Sequence, residues 1–247
     1  MDEAQPLNLV MPGRSLPAGS GWSWIKGGWA LFAAAPLMWI VFIVVLVICS
    51  VVFNSIPILG SLAWQVLSPV IGAGLVIGCR SLETSGDLEL EHLFAGFRTN
   101  FANLLILGAL YVLGGLLILG IMVAFVGTSI VMAALNGDAD ALMQVFVITT
   151  PLLVGGFVCV ILAGLLLAAY WFAPALVVMH GVAPLKAMQA SLGATFRNVI
   201  PFLVYGLVMF FFLIVAVIPF GLGMLVWIPV MVASCYLSYR GVFTEGA

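Results

Sequence analysis

FANLLILGALYVLGGLLILGIMVAFV, residues 101–126, runs its whole length without an Asp, Glu, Lys or Arg. A bilayer core needs about 20 consecutive apolar residues per helix, so this stretch alone crosses with turns to spare. It sits inside one of four charge-free stretches, 27–79, 99–137, 141–185 and 198–239. Hydrophobic residues make up 65% of the 247 and charged residues 6%, with a mean hydropathy of +1.32. Soluble chains carry about a quarter charged residues, so that class is excluded.

Working outward from 101–126, the pattern predicts six spans: about 30–53, 58–80, 101–126, 153–179, 199–218 and 221–239. Tight turns are expected at Asn54–Pro57 and Pro219–Gly221. The segment 127–152, with Asn136, Asp138 and Asp140, is long enough to hold a surface helix or a membrane-dipping piece. Residues 1–20 are polar and rich in Pro and Gly, and have no apolar core of a signal peptide. They read as a disordered cytoplasmic tail, followed by a transmembrane domain over 21–241 and a short tail over 242–247.

The seven Lys and Arg give the orientation. Arg14 and Lys26 precede the first span, Arg80 and Arg98 lie between the second and third, Lys186 and Arg197 between the fourth and fifth, and Arg240 after the sixth. The opposite side holds only Asp138 and Asp140. Lys and Arg in short loops stay cytoplasmic, which puts both termini in the cytoplasm of a bacterial inner membrane.

Internal repetition is the second regularity. LFAGFRTNFANLLILG (93–108) is similar to ASLGATFRNVIPFLVYG (190–206), each with Phe-Arg and an Asn just before a span. Pro69 precedes Arg80 by the spacing that separates Pro229 from Arg240, and Thr84 and Thr244 follow those arginines at equal distance; Pro174 takes the corresponding place in the fourth span. The economical expectation is three like-oriented two-helix repeats, related by an axis along the membrane normal. Each repeat should open with an interfacial helix. Leu90, Leu93, Phe94 and Phe97 form a helical stripe in 87–98, with Asp87 as N-cap and Glu89 and Glu91 turned away. Leu185, Met188, Leu192 and Phe196 do the same in 184–196, and Trp22, Ile25 and Trp29 near the N-terminus.

The segments GWSWIKGGWALFAAAPLMWIV, PILGSLAWQVLSPVIGAGLVIGCRSLETSGDLELEHLFAGFRTNFANLLILGALY and WFAPALVVMHGVAPLKAMQASLGATFRNVIPFLVYG carry a likeness over nearly the whole chain. They resemble a family of six-pass inner-membrane proteins of proteobacteria. More distantly they are similar to the YciC-like group and to the membrane-embedded domain fused to some glycerophosphodiesterases. The resemblance implies six helices in a bacterial inner membrane and supplies no catalytic residues.

Chemistry is sparse. Cys49, Cys79, Cys159 and Cys235 lie in apolar runs without a CxxC, so no metal or other cofactor is expected. His92 and His180 lack a carboxylate or Cys at helical spacing and read as interfacial histidines. No Walker loop, GxSxG or HExxH occurs, and nothing favours nucleic acid, so an enzyme is not expected. No Asp, Glu or Lys falls inside a span, where an ion-coupled transporter would place one. Gly74-xxx-Gly78 marks close helix packing, against a neighbour in this chain or in a second copy. Pro36, Pro69, Pro174 and Pro229 should bend their helices and free carbonyls that need partners.

The sequence therefore predicts a non-enzymatic inner-membrane protein, structural or lipid-associated; the alternative is a small-molecule or amphiphile permease without an intramembrane charge. The expected partners are membrane lipids, anionic phospholipid among them. Arg80, Arg98, Arg197 and Arg240 are the candidate lipid-binding residues, at equivalent places on the cytoplasmic rim.

Overall fold

The computed structural model describes residues 8–135 and 141–245. Residues 1–7, Asn136, Asp138, Asp140 and the side chain of Gln144 lie outside the described part. Among the described residues ten α-helices follow in order: α1 Ser20–Ala34, α2 Pro36–Asn54, α3 Leu59–Thr84, α4 Leu90–Leu93, α5 Phe101–Leu135, α6 Ala141–Trp171, α7 Ala173–His180, α8 Pro184–Arg197, α9 Val199–Val217 and α10 Met224–Phe243. A 3-10 turn, Ala95–Phe97, follows α4. Six stretches of the described residues are long and apolar enough to cross a membrane: Pro36–Asn54, Leu59–Thr84, Phe101–Val131, Thr149–His180, Val199–Val217 and Met224–Phe243. This is an all-α membrane fold of six spanning helices, as the sequence predicts.

Contacts divide the chain into two compact units, one of residues up to Gly108 and from Ala169 onward, the other of Ala109–Ala168. The second unit is an antiparallel pair of apolar helices. Position 114 packs so tightly that a Cβ there would lie 2.8 Å from Leu166, and one on Gly155 would lie 2.5 Å from Phe125. Gly115 and Gly156, their neighbours in the two Gly-Gly pairs, face open space. Residues 127–135 simply continue α5 and 141–152 begin α6, so within the described residues this segment holds no separate surface helix.

In the first unit three lead-in elements share one device. A short lead-in element before each span pair sends a small residue into the spanning helix of the preceding pair, beside its proline. A Cβ on Gly96, in the turn after α4, would lie 2.0 Å from Val70 O, next to Pro69 in α3. One on Gly28 of α1 would lie 2.8 Å from Val230 O, next to Pro229 in α10, and 2.3 Å from Ser234 Oγ. In the remaining case Ser191 of α8 accepts the Phe172 N–H at 3.0 Å, two residues before Pro174. Each proline removes one helical donor, and the backbone groups it disturbs need partners in a medium without water. Ser68 supplies one locally, donating to Gln65 O at 2.8 Å, the carbonyl that Pro69 leaves unpaired. The paired arginine–threonine spacing also has one local meaning: Thr84 Oγ1 donates to Arg80 O at 2.9 Å and Thr244 Oγ1 to Arg240 O at 2.7 Å.

Three expectations change. The segment 87–98 is not one amphipathic helix capped by Asp87; α4 is a single turn capped by Glu89, whose N–H is accepted by His92 Nδ1 at 3.0 Å. Gly96 then seats on Val70 from the 3-10 turn that follows. Of its stripe, Leu93 is buried, whereas Leu90, Phe94 and Phe97 face outward. Likewise α8 buries Pro184, Ala187, Ser191 and Ala194 and turns Leu185 and Phe196 out. The first span does not run unbroken from residue 30, because Ala35, preceding Pro36, leaves the helical region at φ −144°, ψ 57°. Finally, residues 8–16, expected within a disordered tail, form a bonded strap. Val10 N–H and Arg14 N–H donate to Phe243 O and Val242 O, each at 2.8 Å, and Leu9 bridges Thr244.

Candidate functional site

Two places in the first unit concentrate side chains of interest. The first is a polar junction where the C-terminal ends of α3, α7 and α10 meet. Glu83 of α3 forms an ion pair with Arg240 and accepts the Tyr236 hydroxyl at 2.8 Å. His180, at the end of α7, lies 2.6 Å from the Tyr239 hydroxyl through Nε2. Arg80 Nη1 is 3.8 Å from Met179 Sδ. Tyr236 and Tyr239 are each 1% exposed, so their hydroxyls depend on these partners rather than on water. Gly181, in the left-handed conformation at φ 63°, ends α7 and lets the chain turn away beside the junction.

The candidate arginines are distributed as follows. Arg80 and Arg240 both belong to the junction. Arg98 pairs with Glu91 in an exposed ion pair. Arg197 donates from Nη1 to Pro12 O at 2.9 Å and Gly13 O at 3.4 Å, holding the strap. Beside it, the fully buried Asn198 donates to Arg14 O at 2.9 Å and accepts Leu16 N–H at 2.8 Å. Arg14 donates from Nη2 to Gly241 O at 2.9 Å and Thr244 O at 2.6 Å, a cation on the negative end of α10. Asn100, the partner of Asn198 in the repeat, donates to Val177 O at 3.1 Å. Asn100, Arg197 and Asn198 thus clamp neighbouring backbone, whereas Arg98 holds a carboxylate. Gly74 and Gly78 seat the α4 segment of the same chain: a Cβ on Gly74 would lie 2.4 Å from Leu93 O, and one on Gly78 3.0 Å from Leu88.

The second place is an apolar groove of about 580 Å³ between α1, α9 and α10. Trp22, Ile25, Lys26 and Trp29 form one wall, Met209, Phe212 and Val215 another, and Val226, Trp227 and Val230 the third. Its volume is that of a small-molecule site. The Trp227 indole N–H donates to Met209 O at 2.9 Å, which fixes the ring as part of the wall. Lys26 is its single charged lining residue, exposed and with no hydrogen bond or ion pair among the described residues. Two of its ring neighbours, Trp22 and Trp29, are 44% and 55% exposed, one turn to either side.

The sequence pointed to Trp22, Ile25 and Trp29 as a stripe but not to Lys26 as its polar member, nor to Glu83, Tyr236 and Tyr239. Tyr236, Tyr239 and Arg240 do stand at i, i+3 and i+4 on α10, one face of a helix. Their acidic partner lies 153 residues away, beyond the reach of spacing. Among the described residues no group of three or more His, Cys, Asp and Glu is placed to hold a metal ion.

No protein-family model matches the chain, and no solved structure matches it. It is 26% identical to a probable inner membrane protein of Burkholderia thailandensis, across 92% of this chain and 92% of that one. A likeness along nearly the full length of both chains and six helices of spanning length agree on a multi-pass membrane protein.

Proposed function

We propose that the protein is a non-enzymatic, lipid-associated inner-membrane protein with both termini in the cytoplasm. The observation that carries this reading is the groove between α1, α9 and α10, whose walls are almost wholly hydrocarbon and aromatic. In a bilayer such a groove is filled by acyl chain, and tryptophans at its edge suit the level of the headgroups. The polar junction, by contrast, has its groups satisfied within the protein, which suits a structural tie between helices. Phosphate contacts by Arg80, Arg98, Arg197 and Arg240 belong to the same lipid-associated reading, at the rim where the positive-inside rule places them.

The test of the groove uses phosphatidylcholine carrying a diazirine on its acyl chain, with the protein in nanodiscs. Photolysis should label peptides spanning Trp22–Trp29 and Met209–Val230 above the exposed apolar faces elsewhere, such as Leu116–Val123. Uniform labelling of all exposed faces would refute it. Orientation is checked by reporter fusions: periplasmic signal at Pro57 and Pro219, cytoplasmic at Gly86 and Glu245. The opposite pattern would reverse the topology.

A further inference from the structure

We infer that the groove between α1, α9 and α10 is a site for an anionic membrane phospholipid, whose phosphate sits on the Lys26 ammonium and whose acyl chain lies along α9 and α10. The inference rests on the lipid-associated reading above and adds the headgroup class.

Two observations carry it independently. The first is charge. Arg14, Arg98, Arg197 and Arg240 are each engaged by carbonyls or carboxylates of the chain itself, and Arg80 lies within the junction. Lys26 and Lys186 have no such partner among the described residues, and of the two only Lys26 stands in the wall of the groove, which is otherwise uncharged.

The second is a comparison built into the repeat. The lead-in elements, α1 and α4 with its following turn, seat their glycines, Gly28 and Gly96, against the carbonyls after Pro229 and Pro69. Counted from those glycines, Trp22, Ile25, Lys26 and Trp29 match Leu90, Leu93, Phe94 and Phe97 one for one. Burial follows the match: Ile25 and Leu93 are buried, at 4% and 1% exposed, and the other three of each set face outward. At the position of Lys26 the second element has Phe94. The two elements thus present matching outward positions, and only the one beside the groove carries a charge.

Physics then selects the occupant. An acyl chain already in a bilayer gains no hydrophobic free energy by entering an apolar groove, so the groove cannot choose among lipids by chain burial alone. Choice must come from the polar end, and Lys26 is the only charge there. An ammonium attracts phosphate but repels the amine of a zwitterionic headgroup, so net-anionic lipid is favoured. As a point charge it sorts by charge rather than headgroup shape. One Lys near an anionic lipid surface corresponds to a preference of about fivefold.

The experiment compares diazirine-acyl phosphatidylglycerol with diazirine-acyl phosphatidylcholine at equal mole fraction in nanodiscs, for the full chain. Wild type should show about fivefold more groove labelling by the anionic lipid. Lys26→Gln should bring the two lipids level, and Lys26→Arg should keep the preference. The Leu90–Phe97 face should show none in any variant. Equal groove labelling by both lipids in wild type, or a preference that survives Lys26→Gln, overturns the inference and leaves the lipid-associated reading standing. A groove labelled by neither lipid overturns both. Because Lys26 is exposed, these variants should fold, and their labelling outside the groove reports it.

Discussion

The junction of α3, α7 and α10 and the groove of α1, α9 and α10 share a helix but treat charge in opposite ways. At the junction Glu83, Arg240, Tyr236, His180 and Tyr239 answer one another across three helices. At the groove one ammonium faces outward with hydrocarbon around it. In a low-dielectric setting, polar groups that satisfy each other hold helices in register, and a group left open is available to a ligand. The contrast separates what holds the fold from what the fold can offer to the membrane.

The largest effect should come from breaking the seat of the groove's α1 wall on α10, the helix the two regions share. Gly28→Val would drive a side chain into Ser234 and the Val230 carbonyl, forcing α1 off α10. A loss of about 3 kcal/mol in unfolding by SDS is expected, with the groove labelling lost as well. At the junction, Glu83→Ala would leave Arg240 without its anion and Tyr236 without its acceptor. Both charged side chains are about a quarter exposed, so the expected cost is about 2 kcal/mol rather than that of a fully buried pair. Groove labelling should be unchanged, and its loss would mean that the two regions are not separable. Tyr239→Phe removes the hydroxyl facing His180 and should cost about 1 kcal/mol in the same assay. Smallest is Arg98→Gln: its ion pair with Glu91 is 76% and 64% exposed, so a change no larger than about 0.5 kcal/mol is expected. A larger loss at Arg98 would show that the exposed pair is part of the structural framework.

The six spans were legible because a charge-free run of sufficient length has no other use in a chain this apolar. The span expected over 199–218 is α9, Val199–Val217, almost residue for residue. The lead-in elements were legible as stripes, but the small residues that seat them on the protein were not. A stripe such as Leu185, Met188, Leu192 and Phe196 in a soluble helix would face the core, whereas here the small residues Ala187, Ser191 and Ala194 do. In a bilayer, large apolar groups already have a favourable medium outside, and close approach favours small ones. The seat of Gly96 on Val70 was invisible because it is a tertiary contact. The same holds for the site: Glu83 looks like a solvated loop carboxylate until α10 brings Tyr236 and Arg240 to it. Lys26 was counted for topology, and only the groove gives it a second meaning.

The strap has a topological consequence. The chain passes directly from α3 to α4 and from α7 to α8, delivering a lead-in element to the proline of the helix just completed. Between α10 and α1 there is no covalent passage; Leu9 against Thr244, Val10 on Phe243 and Arg14 on Gly241 stand where it would run. The first unit is thus a ring of three segments closed by hydrogen bonds at one seam. A circular permutant, sewn from Glu245 to Asn8 and opened in the exposed bend at Ser85–Asp87, should keep every contact and merely move the seam.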